Sequence, residues 1–206
     1  MDDTLVSTST IWRKAEEKFL KSLGYHYSEE LAAAYKGMNS LDIGAFVYEK
    51  YKPEHLDKEQ CSQAMRTCLL EEYENPVQEM PGVSNFLERV HGHFALSIAS
   101  GSPLAAIEKS IQTLHWNNYL NDIISSEEVE RGKPNPDVFL EMATRLKTPA
   151  NEILVFEDSL HGEEAAIRAG MECFLIPSSE QIKKNCKSSY VFESFNAIQL
   201  KDIHLI

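Results

Sequence analysis

Positive charge is scarce in this chain. Its 206 residues hold 20 Lys and Arg against 32 Asp and Glu, for a formal net charge of −12, and the sequence pI is about 5.0. That balance argues against a protein that binds nucleic acid through a basic surface. Cysteine is scarce as well. Cys61, Cys68, Cys173 and Cys186 form no C-x-x-C pair, and no His lies at zinc-finger spacing from them. They read as reduced thiols of a cytosolic protein. With 9 Gly and 8 Pro, collagenous and low-complexity classes fall away. No apolar run approaches the roughly 20 residues that span a bilayer. The opening MDDTLVSTST has neither the basic flank nor the apolar segment of a signal peptide. The expectation is a cytoplasmic protein with no membrane and no nucleic-acid partner, a monomer.

What is present is ordinary globular material, with 43% hydrophobic and 25% charged residues. Periodicity divides it into two zones. In the first, Ile11, Trp12, Ala15, Phe19, Leu20 and Leu23 recur at helical spacing and Gly24 follows as a stop. Further helices are expected over 28–36, with Ser28 as N-cap and Gly37 as terminator, over 41–51, ended by Pro53, and over 56–73, ended by Pro76. This zone contains no convincing strand and, at about 65 residues, is close to the small-domain limit.

From Pro81 onward the element type alternates. Helices are expected over 83–91, 104–114, 136–146 and 163–169, and strands over 94–99, 122–125, 153–156, 173–176 and 190–192. Such alternation means βαβ units and a parallel sheet covered on both faces. Ligands of such sheets sit at the carboxyl ends of the strands.

Four places therefore matter. FALSIA runs into Ser100, Gly101 and Ser102 before a helix. This is an anion site made from backbone N–H groups and the helix dipole, or an ordinary turn and N-cap. ILVF runs into Glu157 and Asp158. Adjacent carboxylates there need a cation or donors, and oxygen ligands suit magnesium. Alternatively Asp158 or Ser159 only caps the next helix. Lys133 stands on a proline-stiffened turn, Gly132-Lys133-Pro134-Asn135-Pro136, either held over a phosphate or exposed in a polar loop. Asp2, Asp3 and Thr4 make an acidic turn before the helical zone, or a frayed terminus with N-cap chemistry. No His, among them His26, His91, His93, His115 and His161, has metal-ligand spacing on a helix; His161 is the one beside a motif.

In chain order these pieces are D-D-T-L-V, a strand ending Ser100-Gly101, G-K-P at 132–134, and a strand ending E-D-S with Gly162 beyond. The order resembles the haloacid dehalogenase (HAD) superfamily, in the branch of β-phosphoglucomutase-like enzymes and sugar-phosphate phosphatases with a helical cap between the first two motifs. The resemblance runs from Met1 to about Ile176. It implies an α/β fold, a Rossmann-like parallel sheet core (1–8 and 77–206) with an inserted four-helix cap (9–76).

The family's first motif is D-x-D-x-[TV], a nucleophilic Asp followed two residues on by an acid/base Asp. Asp2 falls on the acid/base position and Met1 on the spacer, so the nucleophile would precede Met1. The strand that carries it, central in the family's sheet, would be missing too. The expectation is that the native polypeptide starts several residues upstream. The alternative is a truncated, non-catalytic binding protein.

The resemblance further implies a Mg²⁺-dependent phosphatase acting on small phosphomonoesters, sugar phosphates foremost, through an aspartyl phosphate. It assigns catalysis to Asp2, Ser100 and Lys133. It assigns Mg²⁺ to Asp2 (through its backbone carbonyl), Glu157, Asp158 and the preceding Asp. The expected substrate-binding residues are Gly101, Ser102, Trp12, Lys36 and Asn135. Dehalogenases proper lack the Asp at position 2, so phosphoryl transfer is favoured over carbon–halogen cleavage. Trp12 stands where the mutases of the branch carry His and many sugar-phosphate phosphatases carry Trp, although its place in the apolar stripe also fits a core residue. Lys36 lies in the segment resembling the specificity loop, or is an ordinary surface Lys. A phosphomutase is the competing enzymatic reading.

Overall fold

The computed structural model describes residues 1–35 and 37–203. The chain begins with a tight turn, Met1 to Leu5, and a two-residue strand, β1 (Val6–Ser7). Asp3 adopts a positive φ of 51°. Its Oδ1 accepts the Thr8 and Ser9 N–H groups at 2.9 and 3.1 Å and its Oδ2 the Ser9 hydroxyl at 2.6 Å. Asp3 therefore binds the start of the next helix, which leaves Asp2 for other partners.

Four helices follow: α1 (Ser9–Ser22), α2 (Glu29–Tyr35), α3 (Ser40–Tyr51) and α4 (Lys58–Glu72). Their ends obey local chemistry. Ser28 Oγ accepts the Leu31 N–H at 3.1 Å. Asn39 caps α3, and Asp57 and Gln60 form a reciprocal capping box at α4. Gly24 closes α1 with a φ of +81°, a conformation that glycine adopts without steric cost. Helix α4 packs on both α1 and α3. Gly44 makes the second contact close: a Cβ there would fall 2.5 Å from the Cys61 carbonyl and the Ser62 Cα.

The chain leaves this helical segment through β2 (Gln78–Glu79), which pairs antiparallel with β1 in the register Val6↔Glu79 and Ser7↔Gln78. Met80 N–H adds a bond to Leu5 O at 2.8 Å. Entry and exit are thus zipped side by side, a pairing too short to leave any alternation in the sequence.

The remaining elements are α5 (Val83–Val90), β3 (Ser97–Ser100), α6 (Leu104–Thr113), β4 (Asp122–Ser125), α7 (Asp137–Leu146), β5 (Leu154–Glu157), α8 (Leu160–Ala169), β6 (Glu172–Leu175), α9 (Glu180–Asn185), β7 (Tyr190–Val191) and α10 (Leu200–Ile203). Strand β3 starts three residues later than its apolar run, because Phe94 N–H closes the end of α5 on the Val90 carbonyl. Helices α9 and α10 were not expected.

All the strands after β2 pair in parallel, but in two pieces among the described residues: β3 with β4, and β5 with β6 and β7. Layers hold the pieces together. Helix α7 packs on β3, β4 and α8, and α8 packs on β5 and β6. Ile124, Val138, Phe139, Met142, Val155, Ala165, Ala166 and Cys173 form one apolar cluster there. A larger cluster runs from Phe19 and Leu69 of the helical segment through Phe86 and Ile107 to Phe174 and Phe195. No helix of the described residues is long and apolar enough to cross a membrane.

Candidate active site

The N-terminal turn lies between the two pieces of sheet. Asp2 reaches the end of β3, where Ser100 Oγ and Ser102 Oγ each donate to its Oδ2 at 2.9 Å. Thr4 reaches the residue after β5, its hydroxyl donating to Asp158 Oδ1 at 2.8 Å. The other Asp2 oxygen, Oδ1, faces the helical segment. It accepts Trp12 Nε1–H at 3.1 Å and the Tyr73 hydroxyl. Each carboxylate oxygen therefore bonds a different part of the molecule. Burial, the largest influence, pushes the Asp2 carboxyl upward. The hydrogen bonds of Tyr73, Trp12 and Ser102 pull it down against that burial.

Several open alternatives resolve here. Helix α6 has Pro103 at its N-cap with no side-chain cap, so Ser100 and Ser102 are free of capping and bond Asp2 and each other, Ser102 N–H to Ser100 Oγ at 3.1 Å. Gly101 lies between them in open space. Ser159, not Asp158, caps α8, its Oγ accepting Gly162 N–H at 3.1 Å. Lys133 is not exposed: its side chain is 11% accessible. Its Nζ donates to Glu157 Oε1 at 2.5 Å and to the Ala99 carbonyl at 3.2 Å, bridging the ends of β5 and β3, and lies 4.6 Å from the Phe139 ring centroid.

Glu157 and Asp158 are 4% and 9% exposed. Glu157 packs against Gly162, where a Cβ would come within 1.9 Å of its carboxyl carbon, and also accepts Asp158 N–H and Ser159 Oγ–H, each at 3.2 Å. Burial drives both carboxyls up. At Glu157 the Lys133 ammonium reverses this and the net direction is down. At Asp158 burial and then the Glu157 charge push it up to about 7. No group of three His, Cys, Asp or Glu side chains converges as a metal cluster among the described residues.

Of the other expected residues, Trp12 is half-buried and tied to Asp2. Asn135 folds onto its own turn, its Nδ2 donating to Gly132 O at 3.1 Å. Lys36 lies outside the described residues. Tyr73 was not singled out from the sequence. It stands just past the end of α4, is 1% exposed, and lies 3.2 Å from Ser102 Oγ as well as on Asp2. An aromatic at a helix end carries no signal that separates it from core. A cleft of about 570 Å³ opens above Lys133, between the Gly132-Lys133-Pro134-Asn135 turn, His161, and the α2–α3 region around Met38, Asp42 and Phe46.

A family model described as haloacid dehalogenase-like hydrolase matches residues 1–176. The chain belongs to the haloacid dehalogenase-like hydrolases. Among its relatives in this family is the Drosophila melanogaster protein named "Probable pseudouridine-5′-phosphatase", 31% identical over 186 residues that make up 86% of this chain and 79% of that protein. The Escherichia coli fructose-1-phosphate phosphatase YqaB is 29% identical over 176 residues, 84% of this chain and 90% of that protein. In fold, the HAD-like chain is similar to the crystal structure of CbbY from Rhodobacter sphaeroides in complex with phosphate, with a TM-score of 0.85 at 19% identity, over 99% of this chain and 96% of that one. It is also similar to the β-phosphoglucomutase from Clostridium difficile, with a TM-score of 0.83 at 17% identity, over 99% and 92% of the two chains. The HAD-like α/β fold expected from the motifs is thus the fold of this chain.

Proposed function

We propose that this HAD-family chain is a phosphatase of small phosphomonoesters, sugar phosphates foremost, with residues 9–76 as a cap over a core of residues 1–8 and 77–206. One observation carries the reading: Asp2, Ser100, Lys133 and Asp158 converge at the carboxyl ends of β3 and β5. The fructose-1-phosphate phosphatase of Escherichia coli and a phosphorylated carbohydrates phosphatase of Thermotoga maritima, 27% identical over 84% of this chain, support the substrate class.

In this reading the attacking carboxylate is the residue immediately before Met1 in the native polypeptide. The separate edges of β3 and β5, with the Met1 turn between their ends, support a strand entering there. Attack in line on phosphorus forms the aspartyl phosphate and releases the alkoxide. Asp2 gives that alkoxide its proton, then takes one from the water that hydrolyses the intermediate. The hydroxyl of Ser102, the phenol of Tyr73 and the indole N–H of Trp12 orient Asp2 for both transfers. Lys133, Ser100 and the Gly101 N–H are the donors for phosphoryl oxygens, and Lys133 also keeps Glu157 ionised.

The donor chemistry fits Mg²⁺. Asp158 is a buried carboxylate whose bonded partner is the neutral Thr4 hydroxyl, with Glu157 beside it already engaged by Lys133. Asp158, the Asp2 carbonyl and the preceding Asp would hold the ion, which keeps several waters and prefers one or two carboxylates. Glu157 would act from behind Asp158. When bound, Mg²⁺ offsets negative charge between the attacking carboxylate and the phosphoryl group.

The test is phosphate release from a panel of sugar phosphates, with and without Mg²⁺, using a chain that includes the residues encoded upstream of Met1. Release that requires Mg²⁺ supports the reading. Turnover that depends on a bisphosphate activator with little net phosphate release selects a phosphomutase instead. No release from any ester, with an upstream Asp present, leaves a binding protein of HAD fold.

A further inference from the structure

We propose that the cleft above Lys133 selects phosphomonoesters whose leaving group carries no second negative charge, and that Asp42 enforces the choice. The proposal rests on the phosphatase reading. The cleft joins the Lys133 turn to the helical segment, and its charges are unequally paired. The Lys and Arg side chains that line it among the described residues are engaged: Lys133 on Glu157, and Arg131 on Asp137 through Nε and Nη2, both at 3.0 Å. Asp42 and Glu130 line the same space, and neither has an ion-pair partner among the described residues.

Asp42 is fixed in place. Its Oδ2 accepts Asn39 Nδ2–H at 2.8 Å, and its own N–H donates to Asn39 Oδ1 at 2.9 Å. The carboxylate lies over Gly132, where an added Cβ would be 3.5 Å from Oδ2. It therefore stands beside the residue that precedes Lys133 and shares one cleft with Lys133, the space we assign to the leaving group of an ester whose phosphoryl group is at Lys133.

The consequence is electrostatic. A second phosphate or a carboxylate on the leaving group would be partly desolvated next to Asp42, with no free Lys or Arg of the described residues lining the cleft to meet it. Like-charge contacts of this kind are a strong means of rejecting a ligand. A neutral leaving group meets the opposite situation. Its hydroxyl or amine donors find an acceptor in Asp42, and its carbon skeleton finds Met38 and Phe46 on the cap wall. His161 closes the far side, its ring so near Gly37 that a Cβ there would lie 2.5 Å from Nδ1.

Titration calorimetry in Mg²⁺ tests this with matched pairs: fructose 1-phosphate against fructose 1,6-bisphosphate, and glycerol 3-phosphate against 3-phosphoglycerate. Inorganic phosphate serves as the probe of the phosphoryl site itself. The expected result is that the unaltered chain binds the singly charged ester of each pair at least about tenfold more tightly, and that Asp42→Asn narrows both ratios at least about threefold. Asparagine keeps an oxygen to accept from Asn39, so the loop geometry is retained while the charge is removed. Equal or tighter binding of the doubly charged esters overturns the proposal, as do ratios unmoved by Asp42→Asn, or binding of phosphate with neither neutral ester. A chain that fails to bind inorganic phosphate overturns the phosphatase reading first, and this inference with it.

Discussion

Glu16 on α1 and Glu157 at the end of β5 are 9% and 4% exposed, so both carboxyls are taken out of water. Their surroundings differ. Glu16 has the Tyr35 hydroxyl at 3.2 Å and no ion-pair partner among the described residues. Burial, little relieved by that bond and reinforced by Glu29 and Glu17, pushes it up to about 7. Glu157 faces the same burial, but with Lys133 at 2.5 Å it moves the other way. The helical segment thus lets a buried carboxyl take a proton. The α/β part keeps one ionised with a buried lysine, one backbone N–H from Asp158 and the Ser159 hydroxyl. Lys133 is the group that separates the two cases.

Removing that group is the sharpest way to break the contrast. Lys133→Met leaves Glu157 buried without its cation, and the unfolding free energy in denaturant titration is expected to fall by about 3–5 kcal/mol. A loss below about 1 kcal/mol would mean that water or another group already serves Glu157. Next in size is Asp2→Asn in a chain that releases phosphate. Asparagine retains an acceptor for two of the four donors, and turnover is expected to drop at least about 100-fold, the usual scale for a general acid. A rate near that of the unaltered chain removes Asp2 from proton transfer.

Tyr73→Phe tests the third level. It removes one neutral hydrogen bond to Asp2, with an expected cost of about 1 kcal/mol. Because that bond lowers the Asp2 pKa, its loss should move the alkaline limb of the kcat/KM profile, where the general acid loses its proton, to higher pH. An unmoved alkaline limb would show that the Tyr73 bond does not tune Asp2.

The smallest effect is at Glu16. Its folded pKa of about 7 lies above the ordinary 4.5, so the native state binds more protons between those values. Its stabilising contribution is complete below about pH 4.5 and is lost as pH rises through 7. Glu16→Gln, which cannot ionise, should flatten the fall in Tm measured from pH 5 to 8. An equally steep fall in the variant would assign the pH dependence to Asp158, which is raised in the same window.

Much of the site was legible because each part sits where one element ends and another starts. Ser100 follows an apolar run, Lys133 stands among prolines, and Glu157 and Asp158 end a strand. The helical zone was legible because amphipathic spacing and capping residues are local. Other features left no local trace. Tyr73 meets Asp2 across 71 residues of sequence, and β1 and β2 are each two residues long, too short for a period. The motif put Asp2 on the acid/base position but gave no role to its neighbour Asp3. The positive φ at Asp3 turns its side chain to α1 and leaves Asp2 to the strand ends.

The sequence by itself determined the order of the elements, the family motifs and the residue types at the strand ends. These follow from neighbours a few positions apart, whose periodicity and backbone preferences act before any fold exists. Only the tertiary structure decided which polar groups answer one another: Lys133 with Glu157 and Ala99, Thr4 with Asp158, Tyr73 and Trp12 with one oxygen of Asp2, Asp42 over Gly132. The energy of a buried charge depends on what lies within a few ångströms in space, and that distance is set by packing.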